Sequence, residues 1–115
     1  MESCTFCEEN FKGYSPLILR IYKSGNDILV YAQNNTKNII LIKRLILCIN
    51  YEYHSTLIYV REGGFFDFYI GGERLEQGTT QLKFRISAPS ALSARVEAEY
   101  VEVTSRSTSC LCKFQ

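Results

Sequence analysis

The feature that most constrains the fold of this chain is the run from Asn38 to Tyr53, NIILIKRLILCINYEY. Almost every residue between Asn38 and Asn50 is apolar and five of them are isoleucine, so the run must be buried on most of its sides. It is too short to span a bilayer, which takes roughly 20 apolar residues, and Lys43 and Arg44 interrupt it. A buried helix is one alternative, but the β-branched bias and the alternating end of the run favour a long central strand.

Two alternating apolar patterns overlap within this run. The first comprises Ile39, Leu41, Leu45, Leu47, Ile49, Tyr51 and Tyr53, and the second comprises Ile40, Ile42, Ile46 and Cys48. Lys43 interrupts the first pattern and Arg44 interrupts the second. We therefore predict a β-bulge or bend near these two residues that turns both charges to water.

Six further segments have the composition or the alternation of strands and are separated by turn residues. They are residues 17–23, 28–34, 56–61, 65–70, 81–87 and 95–104. No segment keeps a helical period, and no alternation of strands and helices occurs. The pattern predicts an all-β fold, an antiparallel, immunoglobulin-like β-sandwich of about seven strands that forms one domain over residues 1–115. Residues 1–15 are predicted to be an irregular leader and residues 105–115 an irregular tail.

Length and charge argue against several classes of function. With 115 residues, of which 46% are hydrophobic and 22% charged, the chain has the size and composition of one globular domain. Its formal net charge is +1 and its basic residues are scattered, so no strong field draws it to nucleic acid or to an anionic membrane. No secretory signal and no membrane-spanning segment is recognisable, which predicts a protein of the cytoplasm or of a virus particle.

Four of the five cysteines lie near the two ends of the chain, at Cys4, Cys7, Cys110 and Cys112. If the ends meet, four thiolates can bind a tetrahedral zinc ion, for which Cys-x-x-Cys is a common chelating turn and Cys-x-Cys a less usual one. The alternatives are disulfides between the ends, which would close a loop of about 100 residues, and free thiols on frayed tails. Zinc is the only cofactor that the sequence suggests. Cys48 is predicted to be a buried core thiol.

The sequence contains no convincing catalytic constellation. The only histidine, His54, stands beside a predicted turn, and no sequence feature places a partner next to it. Glu97 and Glu99 share one face of a strand, but that face is expected to be solvated. We therefore predict that the protein is not an enzyme, and no small-molecule substrate is evident. Asn34 begins an Asn-x-Thr glycan acceptor sequence in a predicted turn.

Aromatic residues are concentrated in the predicted strand 65–70, FFDFYI. Phe65, Phe66, Phe68 and Tyr69 are assigned to core and interface packing, because aromatic side chains bury large areas. They form the candidate interaction surface of the protein. The alternative is that they stack the bases of a single-stranded nucleic acid.

Residues 81–87 have the clearest amphipathic alternation in the chain. Leu82, Phe84 and Ile86 are expected to share the face that packs on the core. Lys83 and Arg85 are expected on the opposite face, where they would supply the phosphate contacts if the protein bound nucleic acid.

The segment ILVYAQNNTKNIILIKRLIL, followed later by RLEQGTTQLKFRI and ARVEAEYVEV, resembles the immunoglobulin-like β-sandwich modules of archaeal surface filaments and related envelope proteins. In those modules a strand ends in an Asn-rich turn, a strand of isoleucines follows, and a Leu-x-x-Gly loop, here Leu75 to Gly78, precedes an alternating strand. The resemblance covers about residues 27–104. Filament subunits of that kind begin with a long hydrophobic helix, which this chain lacks. The resemblance therefore implies an accessory component of a cell surface or a viral structural protein.

These observations predict a non-enzymatic structural or interaction protein that acts through contacts with other proteins. A homo-oligomer is expected, because a sandwich leaves edge strands that can pair with a neighbouring copy. The alternative is a small regulatory protein, stabilised by zinc or by disulfides, that binds nucleic acid or a host protein.

Overall fold

The structure, a computed structural model, describes residues 2–4, 7–9, 16–61 and 73–114, with side chains for residues 16–58 and 75–114. This part of the chain forms ten strands and no helix. The strands are β1 (Glu2–Cys4), β2 (Cys7–Glu9), β3 (Leu17–Ser24), β4 (Asp27–Asn34), β5 (Ile40–Asn50), β6 (Ser55–Arg61), β7 (Glu73–Leu75), β8 (Thr80–Ser87), β9 (Ser93–Val101) and β10 (Ser105–Lys113). The predicted all-β fold is confirmed, and the long apolar run forms β5.

The strands pair in two antiparallel sheets. The four-stranded sheet has the order β1-β3-β4-β8. The six-stranded sheet has the order β2-β10-β9-β5-β6. The short strand β7 pairs with the beginning of β5, from Ile40 to Ile42, and β6 pairs with the rest of β5, from Leu45 to Asn50. This arrangement is compatible with the predicted β-sandwich, since alternate residues of both sheets meet in one core.

The core consists of aliphatic side chains from the inner faces of the two sheets. From the four-stranded sheet it contains Leu17, Leu19, Ile21, Ile28, Val30, Ala32 and Phe84. From the six-stranded sheet it contains Ile40, Ile42, Leu45, Leu47, Ile49, Leu75, Ala94, Val96, Ala98, Tyr100, Cys110 and Cys112. Within the six-stranded sheet, Ala98 and Ala94 of β9 lie opposite Leu45 and Ile49 of β5, so small side chains lie beside large ones on its inner face.

The bulge predicted in the central strand is present at Lys43. Ile42 pairs with Tyr100 and Arg44 pairs with Glu99, so Lys43 is an extra residue on β5. The bulge changes which residues face the core, as buried positions pass from Ile40 and Ile42 to Leu45, Leu47 and Ile49. The second apolar pattern therefore faces the core before the bulge, and the first faces the core after it.

A second bulge, which the sequence did not predict, lies in β8. Val30 of β4 pairs with Phe84, and the next residue, Tyr31, pairs with Leu82, so Lys83 is the extra residue. The bulge turns Leu82 away from the core and leaves it 46% exposed, whereas Phe84 is buried. The prediction that Leu82 packs on the core with Phe84 and Ile86 is wrong for Leu82.

Both ends of the chain are more regular than predicted. Residues 105–115 were expected to be an irregular tail, but Ser105–Lys113 form β10, which pairs along its whole length with β9. Within the predicted leader, β1 pairs with β3 and β2 pairs with β10. The prediction failed because the segment is rich in Ser and Thr and its apolar alternation is weak. Its buried side chains are Thr108, Cys110 and Cys112. The predicted strand 65–70 lies outside the described residues.

Candidate functional site

The aromatic interaction surface predicted from the sequence lies outside the described residues, which resume at residue 73 after residue 61. The contribution of Phe65, Phe66, Phe68 and Tyr69 therefore stays a prediction. The described residues offer a different candidate, the free edge of the six-stranded sheet.

This free edge is formed by β6. No described strand pairs with the side of β6 that faces away from β5, and we call the backbone groups on that side the β6 edge. The strand has the sequence STLIYVR, so its only charged residue is the last one, Arg61. Leu57, opposite Cys48 of β5, is 59% exposed. Backbone N–H and C=O groups with which no described strand pairs, on a strand without a charge before its last residue, are a template for pairing with another strand.

The turn between β5 and β6 extends this surface. The rings of Tyr51 and His54 stack, with centroids 4.5 Å apart and planes inclined by 15°. The Tyr51 N–H also donates a hydrogen bond of 2.8 Å to the carbonyl oxygen of His54. The histidine thus stabilises the turn, and the neighbouring Tyr53, which lies in the same turn before β6, is 90% exposed.

The long edge strand of the other sheet, β8, differs from β6 in its charge. Lys83 Nζ donates a hydrogen bond of 2.7 Å to Gln81 Oε1, and Arg85 Nη2 lies 3.4 Å from Asp27 Oδ2. Charged side chains and bulges are the devices by which edge strands avoid pairing with other chains. β8 has both, whereas β6 has a bulge at Val60 but no charge before Arg61, so the two strands differ in charge alone. Phosphate contacts by Lys83 and Arg85 stay a prediction, and both side chains have local polar partners.

The paired carboxylates on β9 lie on the solvated face of the six-stranded sheet. Arg95 Nε is 3.1 Å from Glu97 Oε1, and Arg44 Nη1 is 3.6 Å from Glu99 Oε1. The side chains of both glutamates are more than half exposed. Exposed ion pairs of this kind contribute about 0.2–1 kcal/mol each to stability, so their geometry is that of a charged outer face.

A hollow of about 530 Å³ with a polar lining lies at the end of β4, and Asn34 is one of the residues that line it. Asn34 is fully buried. Its Nδ2 donates hydrogen bonds to the carbonyl oxygens of Asn38 and Leu75, at 2.7 and 2.8 Å. Its Oδ1 accepts hydrogen bonds from the backbone N–H and the hydroxyl of Thr36. All the polar capacity of this amide is used within the protein, so the predicted glycan acceptor has a structural role.

The cysteines fall into two groups. Cys48 has a free thiol and is half-buried outside the core cluster, with Sγ 3.9 Å from Asn50 Oδ1. The prediction that it is a core thiol is therefore wrong, because the bulge at Lys43 places Leu47 and Ile49 on the inner face instead. Cys110 and Cys112 are buried on the inner face of β10, and both are disulfide-bonded.

The N-terminal cysteines occupy register positions near these two. Cys7 of β2 lies opposite Cys110, and Cys4 of β1 lies opposite Ile21. Among the residues whose side chains are described, no group of three or more His, Cys, Asp or Glu side chains is placed to hold a metal ion. Because that search does not include the side chains of Cys4 and Cys7, the four-cysteine zinc site stays a prediction.

No helix in the described ranges is long and apolar enough to cross a membrane. In comparisons with known proteins, no protein-family model, no curated protein and no solved structure matches this chain. The assignment of a function therefore depends on the residues themselves, and above all on the β6 edge.

Proposed function

We propose that this protein is a non-enzymatic structural and interaction protein that binds other proteins, first of all a second copy of itself, through the β6 edge. The observation that carries the proposal is the contrast between the two long edge strands of the described part. β8 has Lys83 and Arg85 in its middle, whereas Ser55–Arg61 has no charged residue before its end.

A second copy of β6 fits this edge in the antiparallel direction. Two identical strands related by a two-fold axis pair antiparallel and make an isologous contact, in which the same residues contribute from both sides. No charges oppose one another along the uncharged part of β6, so the two strands can approach. The same operation on β8 would bring Lys83 and Arg85 close to the same two cations of the second copy.

Exposed apolar side chains next to the edge would stabilise the contact. Leu57 lies on β6 itself and Tyr53 lies in the turn that precedes it, and they are 59% and 90% exposed. Burial of apolar surface contributes about 25 cal/mol per Å². A paired β6 edge would continue the six-stranded sheet into the second copy and cover part of both side chains.

The biological setting that we propose is an accessory component of a virus particle or of a cell surface. The resemblance of about residues 27–104 to immunoglobulin-like modules of archaeal envelope proteins supports this setting. Assemblies at surfaces are built from repeated contacts between small domains, and a sheet edge that pairs with its own copy supplies such a contact.

The test is the mass of the protein in solution, measured by size-exclusion chromatography with light scattering over a range of concentrations. We expect the unaltered protein to form dimers or larger assemblies as its concentration rises. Leu57→Lys places a charge on β6 and should shift the protein to the monomer, because pairing would then bring a lysine from each copy onto the same short stretch of paired strands.

Leu82→Lys is the matched control for this experiment. It also replaces an exposed leucine on an edge strand by lysine, but on β8, so it should leave the assembly unchanged. A protein that remains a monomer at high concentration, or a Leu57→Lys variant that assembles as well as the unaltered protein, would contradict the proposal.

A further inference from the structure

We infer that the four terminal cysteines form two disulfides, Cys7–Cys110 and Cys4–Cys112, which join the N-terminal strands to the last strand of the chain. The inference is independent of the β6 edge and of self-association. It starts from the finding that Cys110 and Cys112 are both disulfide-bonded, and it identifies their partners from the register of the strands.

The first pair follows directly from the pairing of β2 with β10. Cys7 and Cys110 are opposite each other in this antiparallel ladder. Opposed residues in such a ladder have Cα atoms about 4.5–5.5 Å apart, which lies within the range of about 4.4–6.8 Å that a disulfide spans. Opposed residues also share one face of a sheet, and the face of Cys110 is the buried inner one.

Two contacts, one on each side of Cys112, indicate which residue of the four-stranded sheet lies across from it. Two residues before it, Cys110 Sγ lies 3.3 Å from the carbonyl oxygen of Leu19 on β3. Two residues after it, the ring of Phe114 lies 4.9 Å from Nζ of Lys23, also on β3. Because β10 and β3 are both extended, Cys112, midway between Cys110 and Phe114, lies across from the residue midway between Leu19 and Lys23.

That midway residue is Ile21, and Cys4 is its partner in the pairing of β1 with β3. β1 and β10 are in contact across the two sheets. Ile21 and Cys112 are both buried in the core. Cys4 is therefore at the position from which a bridge to Cys112 would join the four-stranded sheet to the six-stranded sheet.

The other pairings fit this geometry less well. A Cys7–Cys112 bridge would connect diagonal neighbours, whose Cα atoms are about 7–8 Å apart and thus beyond the disulfide range. A Cys110–Cys112 bridge would connect residues two apart on an extended strand, about 6.6 Å between Cα atoms, at the upper limit of that range. The inferred pairing joins Cys7 to the residue opposite it in the same sheet and joins Cys4 of β1 to Cys112 of β10, a strand of the other sheet that β1 contacts.

Each bridge forms by thiol–disulfide exchange with a small-molecule disulfide such as oxidised glutathione. Two cysteine thiols lose two protons and two electrons, and the small disulfide is released as two thiols. The two bridges close loops of about 100 residues, which restricts the unfolded chain strongly. The protein would therefore reach its most stable state in an oxidising environment.

The test is peptide mapping of the purified protein without reduction, after free thiols have been blocked with N-ethylmaleimide under denaturing conditions. Chymotrypsin cleaves after Phe6 and after Leu111, and these two cuts separate Cys4 from Cys7 and Cys110 from Cys112. We expect the peptide of Cys7 to be joined to that of Cys110, the peptide of Cys4 to that of Cys112, and only Cys48 to carry the label.

A matched pair of double variants provides the control. Cys4→Ser with Cys112→Ser removes one inferred bridge, so Cys48 should remain the only labelled residue and the melting temperature should fall by about 10 °C. Cys4→Ser with Cys110→Ser breaks both bridges and should leave three labelled cysteines.

Any of four results would overturn the inference. They are the crossed pairing in the peptide map, a bridge between Cys110 and Cys112, labelling of all five cysteines, and a zinc ion retained by the unaltered protein in native mass spectrometry. The peptide map of the unaltered protein decides the pairing even if a variant does not fold.

Discussion

At the scale of single residues, Asn34 shows how a polar side chain can hold two sheets together. It ends β4 in the four-stranded sheet, and its amide donates to Leu75 of β7 and to Asn38 before β5, both at the six-stranded sheet. The sequence predicted a turn and a glycan acceptor here. The turn is present, but the acceptor nitrogen is buried and fully engaged, so the folded protein cannot take a glycan at this residue.

We predict that Asn34→Asp strongly destabilises the fold. A carboxylate cannot donate hydrogen bonds, so the carbonyl groups of Asn38 and Leu75 would lose their donor and face a buried charge. Loss of a buried partner costs about 1–3 kcal/mol per group, and we expect the free energy of unfolding in urea to fall by about 3 kcal/mol or more.

Asn35→Asp is the control for this prediction. It makes the same chemical change one residue later, where the side chain is exposed, and it should alter the free energy of unfolding by about 0.5 kcal/mol or less. Equal destabilisation by the two variants would show that the hydrogen bonds of Asn34 do not have the role described.

At the scale of elements, the bulges at Lys43 of β5 and at Lys83 of β8 differ in how far the sequence predicts them. On β5, Lys43 and Arg44 interrupt both apolar patterns, so a change of phase is visible in the sequence. On β8, nothing interrupts the alternation around Lys83, and the bulge follows from its pairing with β4. Strand register depends on the neighbouring strand as well as on the strand's own pattern.

We predict that deletion of Lys43 prevents folding, whereas Lys43→Ala is tolerated. Deletion removes the bulge, so that either the buried residues before it or those after it must move to the outer face. The alanine variant keeps the residue count and should change stability by about 1 kcal/mol or less.

Thermal unfolding followed by circular dichroism distinguishes the two variants. Lys43→Ala should melt cooperatively near the temperature of the unaltered protein, and the deletion should show no cooperative transition. A deletion variant that melts like the unaltered protein would mean that the bulge does not set the register of β5.

At the scale of the whole molecule, the two edges of the six-stranded sheet differ in what they bring together. At one end, β2 and β10 bring the two termini of the chain together. At the other end, β6 is the last of the described strands and has no charged residue before Arg61. The inferred disulfides would close the first end, and the proposed contact with a second copy would use the other.

The sequence predicted the all-β fold because hydrophobic alternation is a local property that each strand carries in its own residues. It did not predict the β6 edge, because the order of strands in a sheet depends on contacts between distant parts of the chain. The signal in STLIYVR, a β-rich segment without a charge before its end, becomes meaningful only once that segment is known to lie at an edge. Similarly, the spacing of the cysteines left zinc, disulfides and free thiols open, and only the strand register favours one pairing.

Hydrogen exchange of the β6 backbone amides, measured at increasing protein concentration, tests the proposed contact most directly. Every second amide of an edge strand points away from its neighbour in the sheet, and we predict that these amides of Ser55–Arg61 exchange more slowly as concentration rises, while those of Thr80–Ser87 do not change. Exchange at β6 that is independent of concentration, or protection that increases at β8 instead, would contradict the account.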